Sequence, residues 1–194
     1  MILLVKRCDW GESENPLYKD YHDKEWGVPV HDERLLFEMV TLEGAQAGLS
    51  WSTIINKREN YKKAFDNFDF EKVAKYDDKK IEDLMNNAGI VRNRRKIQST
   101  ITNAQAFIKV REEFGSFDKY IWEFVDFKPI QTNFKNPKEW PAKTELSEKI
   151  SKDLLKRGFK FIGPTIVYAL MQAIGLVNDH LIYCFRHKEL KNEK

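Results

Sequence analysis

Apolar residues in this chain recur at intervals of three and four along most of its length, and no stretch alternates convincingly with period two. An α-helix repeats about every 3.6 residues and a half-buried strand every two, so the pattern predicts an all-α body and argues against a sandwich or barrel. From Asp32, an N-cap, Leu35, Leu36, Met39, Val40, Glu43 and Ala47 define one face of a helix. WSTIINKRENYKKAF reads as a second helix with a basic outer face, and DFEKVAKY and DDKKIEDLMNN as short amphipathic ones with aspartates at their starts. NRRKIQSTITNAQAFIKVREEFG reads as one long helix closed by Gly115, and SFDKYIWEFV as another. The proline-bearing stretch from Pro129 to Pro141 reads as a loop, after which TELSEKISKDLLKRGF and GPTIVYALMQAIG resume the helical pattern. The C-terminal RHKELKNEK reads as a solvated tail.

A length of 194 residues suits a single domain, here expected to be two-lobed over 1–194, and monomer is the default state. No apolar run is long enough for a bilayer. MILLVKR places its apolar residues before its basic pair, the reverse of a secretory signal, so the chain is expected to be cytoplasmic and to meet no membrane. Thiols are reduced there, which makes metal ligation a better account of the two cysteines than a disulfide. A net charge of +3 is too small to establish a nucleic-acid partner, so local clusters must carry that case.

Near the C-terminus, NDHLIYC sets His180 and Cys184 four positions apart, one turn on the same face if the segment is helical. Cys8 and His22 could complete a Cys2His2 tetrahedron suited to zinc, but only if the two ends of the chain meet. A core cysteine beside an ordinary histidine is the competing reading, and His31 and His187 are alternative partners. The chain has no HExxH and no H-x-E with P-C-x-x-C, which argues against a zinc protease and a nucleobase deaminase.

LLKRGFKFIGPTIVYALMQAIG carries a second signal. A basic helix ends at Gly158, and Gly163-Pro164-Thr165 opens another whose free N–H groups would seat a phosphate, with Lys156, Arg157 and Lys160 adding charge. An ordinary helix–turn–helix with core phenylalanines fits equally well, while the basic clusters NKRENYKK and RNRRK tilt toward nucleic acid. A third signal is Glu43, which falls on the stripe that should be buried. An unpaired carboxylate there is costly, so it either meets a structural partner or lines a pocket. Gly44 and Gly48 are expected to loosen the helix, Trp51 follows closely, and Trp10, Tyr18, Tyr21 and Trp26 crowd one short span. A carboxylate between stacking rings describes a nucleobase site, whereas composition alone would make these rings core.

RCDW, PLYKDYHDKEWGVP, LFEMVTLEGAQAGLSW, KRENYKKAF, NAGIVRNRRKIQ, KRGFKFIGPTIVYALMQAIGLVNDH and the final cysteine together resemble the 3-methyladenine DNA glycosylase I family across almost the entire chain. The resemblance implies a helix-hairpin-helix glycosylase, its motif at about 147–175, that excises 3-methyladenine from alkylated duplex DNA in base-excision repair. It implies a structural zinc held by Cys8, His22, His180 and Cys184, linking the termini at 8–22 and 180–184. It assigns base reading to Glu43, stacking to Tyr21 and Trp51 with Trp10 in the same wall, and DNA contacts to Gly48, Leu49 (a wedge), Lys160, Phe161, Gly163 and Thr165. Two departures stand out. Phe161 replaces the first glycine of the superfamily's L-P-G-V-G turn, and Asn178 stands at its catalytic aspartate, with Asp179 alongside. Because N3-methylation already makes adenine a good leaving group, a site without a strong catalytic carboxylate would act by extrusion, selective binding and positioning of water. A zinc-containing DNA-binding module without chemistry and a hydrolase with an open zinc site are the competing readings.

Overall fold

The structure, a computed structural model, describes residues 5–192; the start of MILLVKR and the last two residues of the chain lie outside it. Among the described residues the α-helices are α1 (Pro16–Lys24), α2 (Glu33–Gln46), α3 (Trp51–Ile55), α4 (Arg58–Ala64), α5 (Phe70–Val73), α6 (Asp78–Met85), α7 (Arg94–Phe114), α8 (Phe117–Glu123), α9 (Glu145–Lys156), α10 (Pro164–Ala173) and α11 (Phe185–Asn192). Eight start signals are written in the sequence. Asn15, Asp32, Ser50, Asp69, Asp77, Asn93, Ser116 and Thr144 each accept a backbone N–H from the first turn of the helix that follows. Each such cap contributes about 1 kcal/mol. Gly115, at φ 88°, closes α7 in the left-handed conformation that glycine adopts without strain.

α2 is the centre of the molecule. Every residue from Leu36 to Ala45 is buried, because α7, α8, α10 and α3 cover it on several sides. The one-face reading is therefore corrected: Leu35 points outward, Ala47 lies past the helix end, and Glu38 and Thr41 are as enclosed as the apolar residues. Phe37, Phe107 and Phe117 form the aromatic heart of the core, the last two rings stacked at 4.2 Å.

Four further readings change. WSTIINKRENYKKAF is two helices, since the chain turns at Asn56 and Lys57, where Asn15 donates to Asn56 (3.0 Å) and Lys57 to the Ala88 carbonyl (3.0 Å). The 129–141 loop contains a strand, β1 (Ile130–Gln131), paired in parallel with β2 (Val177–Asn178). Two residues are too few to display an alternation. The expected solvated tail is largely α11, docked through buried His187 and Leu190, with the His187 ring 2.8 Å from the Thr132 carbonyl. His180 and Cys184 lie not on a helix but in the turn that leads into α11.

Candidate functional site

α1, α2, α3, α10 and the 140–142 loop enclose a cavity of about 440 Å³, walled by Trp10, Tyr21, Trp26, Trp51 and Trp140. Glu43 projects into it from α2. The side chain is 3 % exposed, and its Oε2 has no hydrogen-bond partner. Burial alone pushes the carboxyl from 4.5 up to about 8. The contrast with Glu38, one and a half turns earlier, separates structure from function. Glu38 is equally buried but receives the Arg58 guanidinium at 2.6 Å, and Arg58 also grips Glu25. One carboxylate is neutralised by the fold; the other is left for something outside it.

The rings that share the cavity with Glu43 pack against one another. Tyr21 lies 5.1 Å from Trp51 at 45°, and Trp10 meets Tyr18 and Trp26 edge-on at 5.2 and 5.0 Å. Burial, and then the Glu43 charge, hold the Tyr21 phenol well above its ordinary value. Trp51 Nε1 is buried without an acceptor, a donor counterpart to the unfilled Glu43 oxygen.

Directly behind this wall the chain ends meet. Cys8, His22, His180 and Cys184 are all buried, and one donor atom from each lies within 4.8 Å of the others. Sulfur-to-nitrogen separations are 3.4, 3.6 and 3.7 Å. A tetrahedral ion with bonds of about 2.3 Å to sulfur and 2.05 Å to nitrogen would set that edge at about 3.6 Å. Ring orientation agrees with ligation. His22 Nδ1 bonds Asp23 (2.8 Å), itself clamped by Arg7, while His180 Nε2 bonds the Trp26 carbonyl (2.8 Å), which turns His22 Nε2 and His180 Nδ1 toward the sulfurs; the former also accepts the Cys8 N–H at 3.4 Å. Burial also keeps the His180 imidazole below its ordinary value, in the neutral form a metal needs. Both cysteines are free, and the cluster can hold a metal ion. Its approach is tight: a Cβ on Gly11 would lie 2.5 Å from the His22 ring. The cluster also braces the cavity, since Trp10 packs on His22 at 4.8 Å and Trp26 on His180 at 4.6 Å.

A model of the methyladenine glycosylase family matches residues 10–187. DNA-3-methyladenine glycosylase 1 of Escherichia coli is 49 % identical over 180 residues, covering 93 % of this chain and 96 % of that one. The chain belongs to the methyladenine glycosylase family. A crystal structure of 3-methyladenine DNA glycosylase I superposes with a TM-score of 0.90 at 49 % identity, over 93 % of this chain and 98 % of that one. A tyrosine-to-phenylalanine variant of 3-methyladenine DNA glycosylase I, in complex with 3-methyladenine, superposes with a TM-score of 0.89 at 37 % identity, over 92 % and 96 % of the two chains.

In this member of the family the hairpin between α9 and α10 is pinned from below. The Asn103 amide exchanges two hydrogen bonds with the Lys160 backbone (2.7 and 3.0 Å), and Ser151 donates to the Ile162 carbonyl (2.7 Å). Phe161 sits at φ 53°, so the position where the superfamily turn carries glycine does require left-handed backbone here. Gly163 has φ −63° and open space where a Cβ would stand, so nothing inside the protein demands glycine there. Gly44 does not loosen α2. It lies inside the intact helix, where a Cβ would meet Phe161 at an ordinary contact distance of 3.6 to 3.7 Å, whereas Gly48, at φ 76°, lies past the helix end. Leu49 is 41 % exposed on the following loop, and Thr165 lies at the cavity rim. Buried Lys96 fastens this loop by donating to the Ala45 and Ala47 carbonyls (2.7 and 2.6 Å). Asn178 is fully bonded to Gln131, the His187 carbonyl and the His180 amide, a structural residue. Sequence reasoning missed Trp140, Gln46, Tyr168 and Gln172 as cavity residues. The four-residue spacing of the last two on one apolar helix was the available signal.

Proposed function

We propose that this chain hydrolyses the N-glycosidic bond of 3-methyladenine in alkylated duplex DNA, releasing the free base. The observation that carries the reading is Glu43, a buried carboxylate without a hydrogen-bond partner in a ring-lined cavity with room for a purine base. Family membership and the relatives' names support it. A flipped, positively charged base entering the cavity packs against the wall formed by Tyr21 and Trp51, with Trp10 in the same wall, and its amino edge donates to Glu43. The positive charge favours the ionised carboxylate that burial alone disfavours, so the site rewards a cationic purine over a neutral one. Water attacks C1′ as the C1′–N9 bond breaks, the bonding pair neutralises the departing base, and the water proton passes to solvent. Glu43 stabilises the leaving form rather than acting as a strong base.

Leu49 would enter the gap left by the flipped nucleotide, with Gly48 allowing the turn. The backbone at Lys160, Phe161, Gly163 and Thr165 would seat a phosphate at the uncapped start of α10. The hairpin is then the helix-hairpin-helix of about 147–175, within one two-lobed domain acting as a monomer inside the cell. Among the described residues no helix is long and apolar enough to cross a membrane. Cys8, His22, His180 and Cys184 would hold zinc, which when bound supplies a structural cross-link between the chain ends. With four buried donors in the cluster, the protein would fill every position of a tetrahedral ion, which would leave no open one for chemistry of the zinc-hydrolase type.

The test is release of free 3-methyladenine from methylated duplex DNA. Release that falls about tenfold to a hundredfold in Glu43→Gln supports the reading. DNA binding with no release by the zinc-loaded wild type leaves only a DNA-binding module.

A further inference from the structure

Asp179 is a second carboxylate that the reaction does not use. It is 1 % exposed, and its Oδ1 is buried without a partner. Its Oδ2 accepts two hydrogen bonds, one from the Tyr168 hydroxyl and one from Gln172 Nε2 (2.7 Å). Both donors line the cavity from α10. All the side-chain hydrogen bonding of a costly buried group is thus spent on two cavity residues. Its main-chain carbonyl also accepts the indole N–H of Trp140, another cavity residue.

The chemistry of the acceptor dictates what those residues can offer a ligand. A carboxylate accepts and does not donate, so the Gln172 amide must turn its NH2 inward and leave Oε1 on the other side. Among the described residues that Oε1 has no hydrogen-bond partner. The Tyr168 proton is likewise committed to Asp179, which leaves only oxygen lone pairs for the cavity. Free of this tether, a tyrosine and a glutamine could each donate or accept at will.

We propose that Asp179 is a positioning residue that makes the α10 wall of the cavity an acceptor surface, selecting purines that present amino donors and rejecting a 6-oxo edge. This rests on the function proposed above and adds a second polar determinant to Glu43. A 6-amino purine donates into such a wall, whereas the carbonyl of a 6-oxo purine faces lone pairs and loses a bond.

The test measures binding of free 3-methyladenine and 3-methylguanine by quenching of tryptophan fluorescence, alongside zinc content and thermal unfolding, in the zinc-loaded wild type, Asp179→Asn, Gln172→Met and the double variant. Asp179→Asn offers Gln172 a donor and frees its amide to flip. Affinity for 3-methyladenine is expected to fall about tenfold, with a smaller loss for 3-methylguanine, so that discrimination narrows. The double variant should lose little beyond Gln172→Met alone, since Asp179 acts through Gln172. Unchanged discrimination in Asp179→Asn overturns the proposal. So does an equal loss for both bases accompanied by lost zinc or a lower melting temperature, which is the signature of a merely structural residue. Failure of the wild type to release 3-methyladenine from DNA while still binding the free bases selectively would count against the proposed function and leave the role of Asp179 standing.

Discussion

Glu43→Gln is expected to make the protein more stable as it makes it less active. In the folded chain burial raises the Glu43 carboxyl from 4.5 to about 8, so between those values the folded state holds a proton that the unfolded state has released. Wild-type stability from this group is therefore fully present below pH about 4.5 and is lost as pH rises through about 8. The loss is about 5 kcal/mol once pH exceeds both values, roughly 3 kcal/mol at pH 7 and under about 1 kcal/mol at pH 5. Glutamine matches the neutral acid in size and never ionises. Urea unfolding of both proteins across pH 5 to 9 isolates the effect, because every other titrating group cancels in the difference. The variant should be the more stable by a margin that opens steadily to about pH 8 and then levels. A margin independent of pH would refute the argument, since it would mean that Glu43 ionises normally in the fold and is neither desolvated nor unpaired.

Cys184→Ser removes one of four cluster donors; zinc measured by atomic absorption should fall well below one per chain and the melting temperature should drop. Base release should weaken as well, because Trp10 and Trp26 rest on the two histidine rings. Lys96→Met deletes both hydrogen bonds that fasten the end of α2, so urea unfolding should show a loss of about 2 to 3 kcal/mol, with faster amide exchange at residues 47–50. Leu49→Ala should change stability by less than about 0.5 kcal/mol, as the side chain is largely exposed, yet slow release of 3-methyladenine from duplex DNA. Equal slowing on single-stranded methylated DNA would remove Leu49 from the role of wedge.

Period and caps made the helices legible before any coordinates, because both are local. Asp32, Asn93 and Thr144 act on N–H groups two or three residues away, and Gly115 closes a helix by its own backbone freedom. The Cys and His positions were legible as types and spacings, and their meeting followed only from the supposition that the chain ends join. What stayed hidden depends on residues remote in sequence. The buried stripe picked out Glu43 but not Glu38, and the pattern could not say which of them would find a partner; Arg58, placed by α4, neutralises Glu38, and Oε2 of Glu43 is left without one. Tyr168 and Gln172 read as ordinary members of an apolar helix until the β2 segment brings Asp179 beneath them. Local hydrogen-bonding and steric preferences act between near neighbours and are written in the order of residues, while burial and the pairing of charges arise only when distant segments exclude water together.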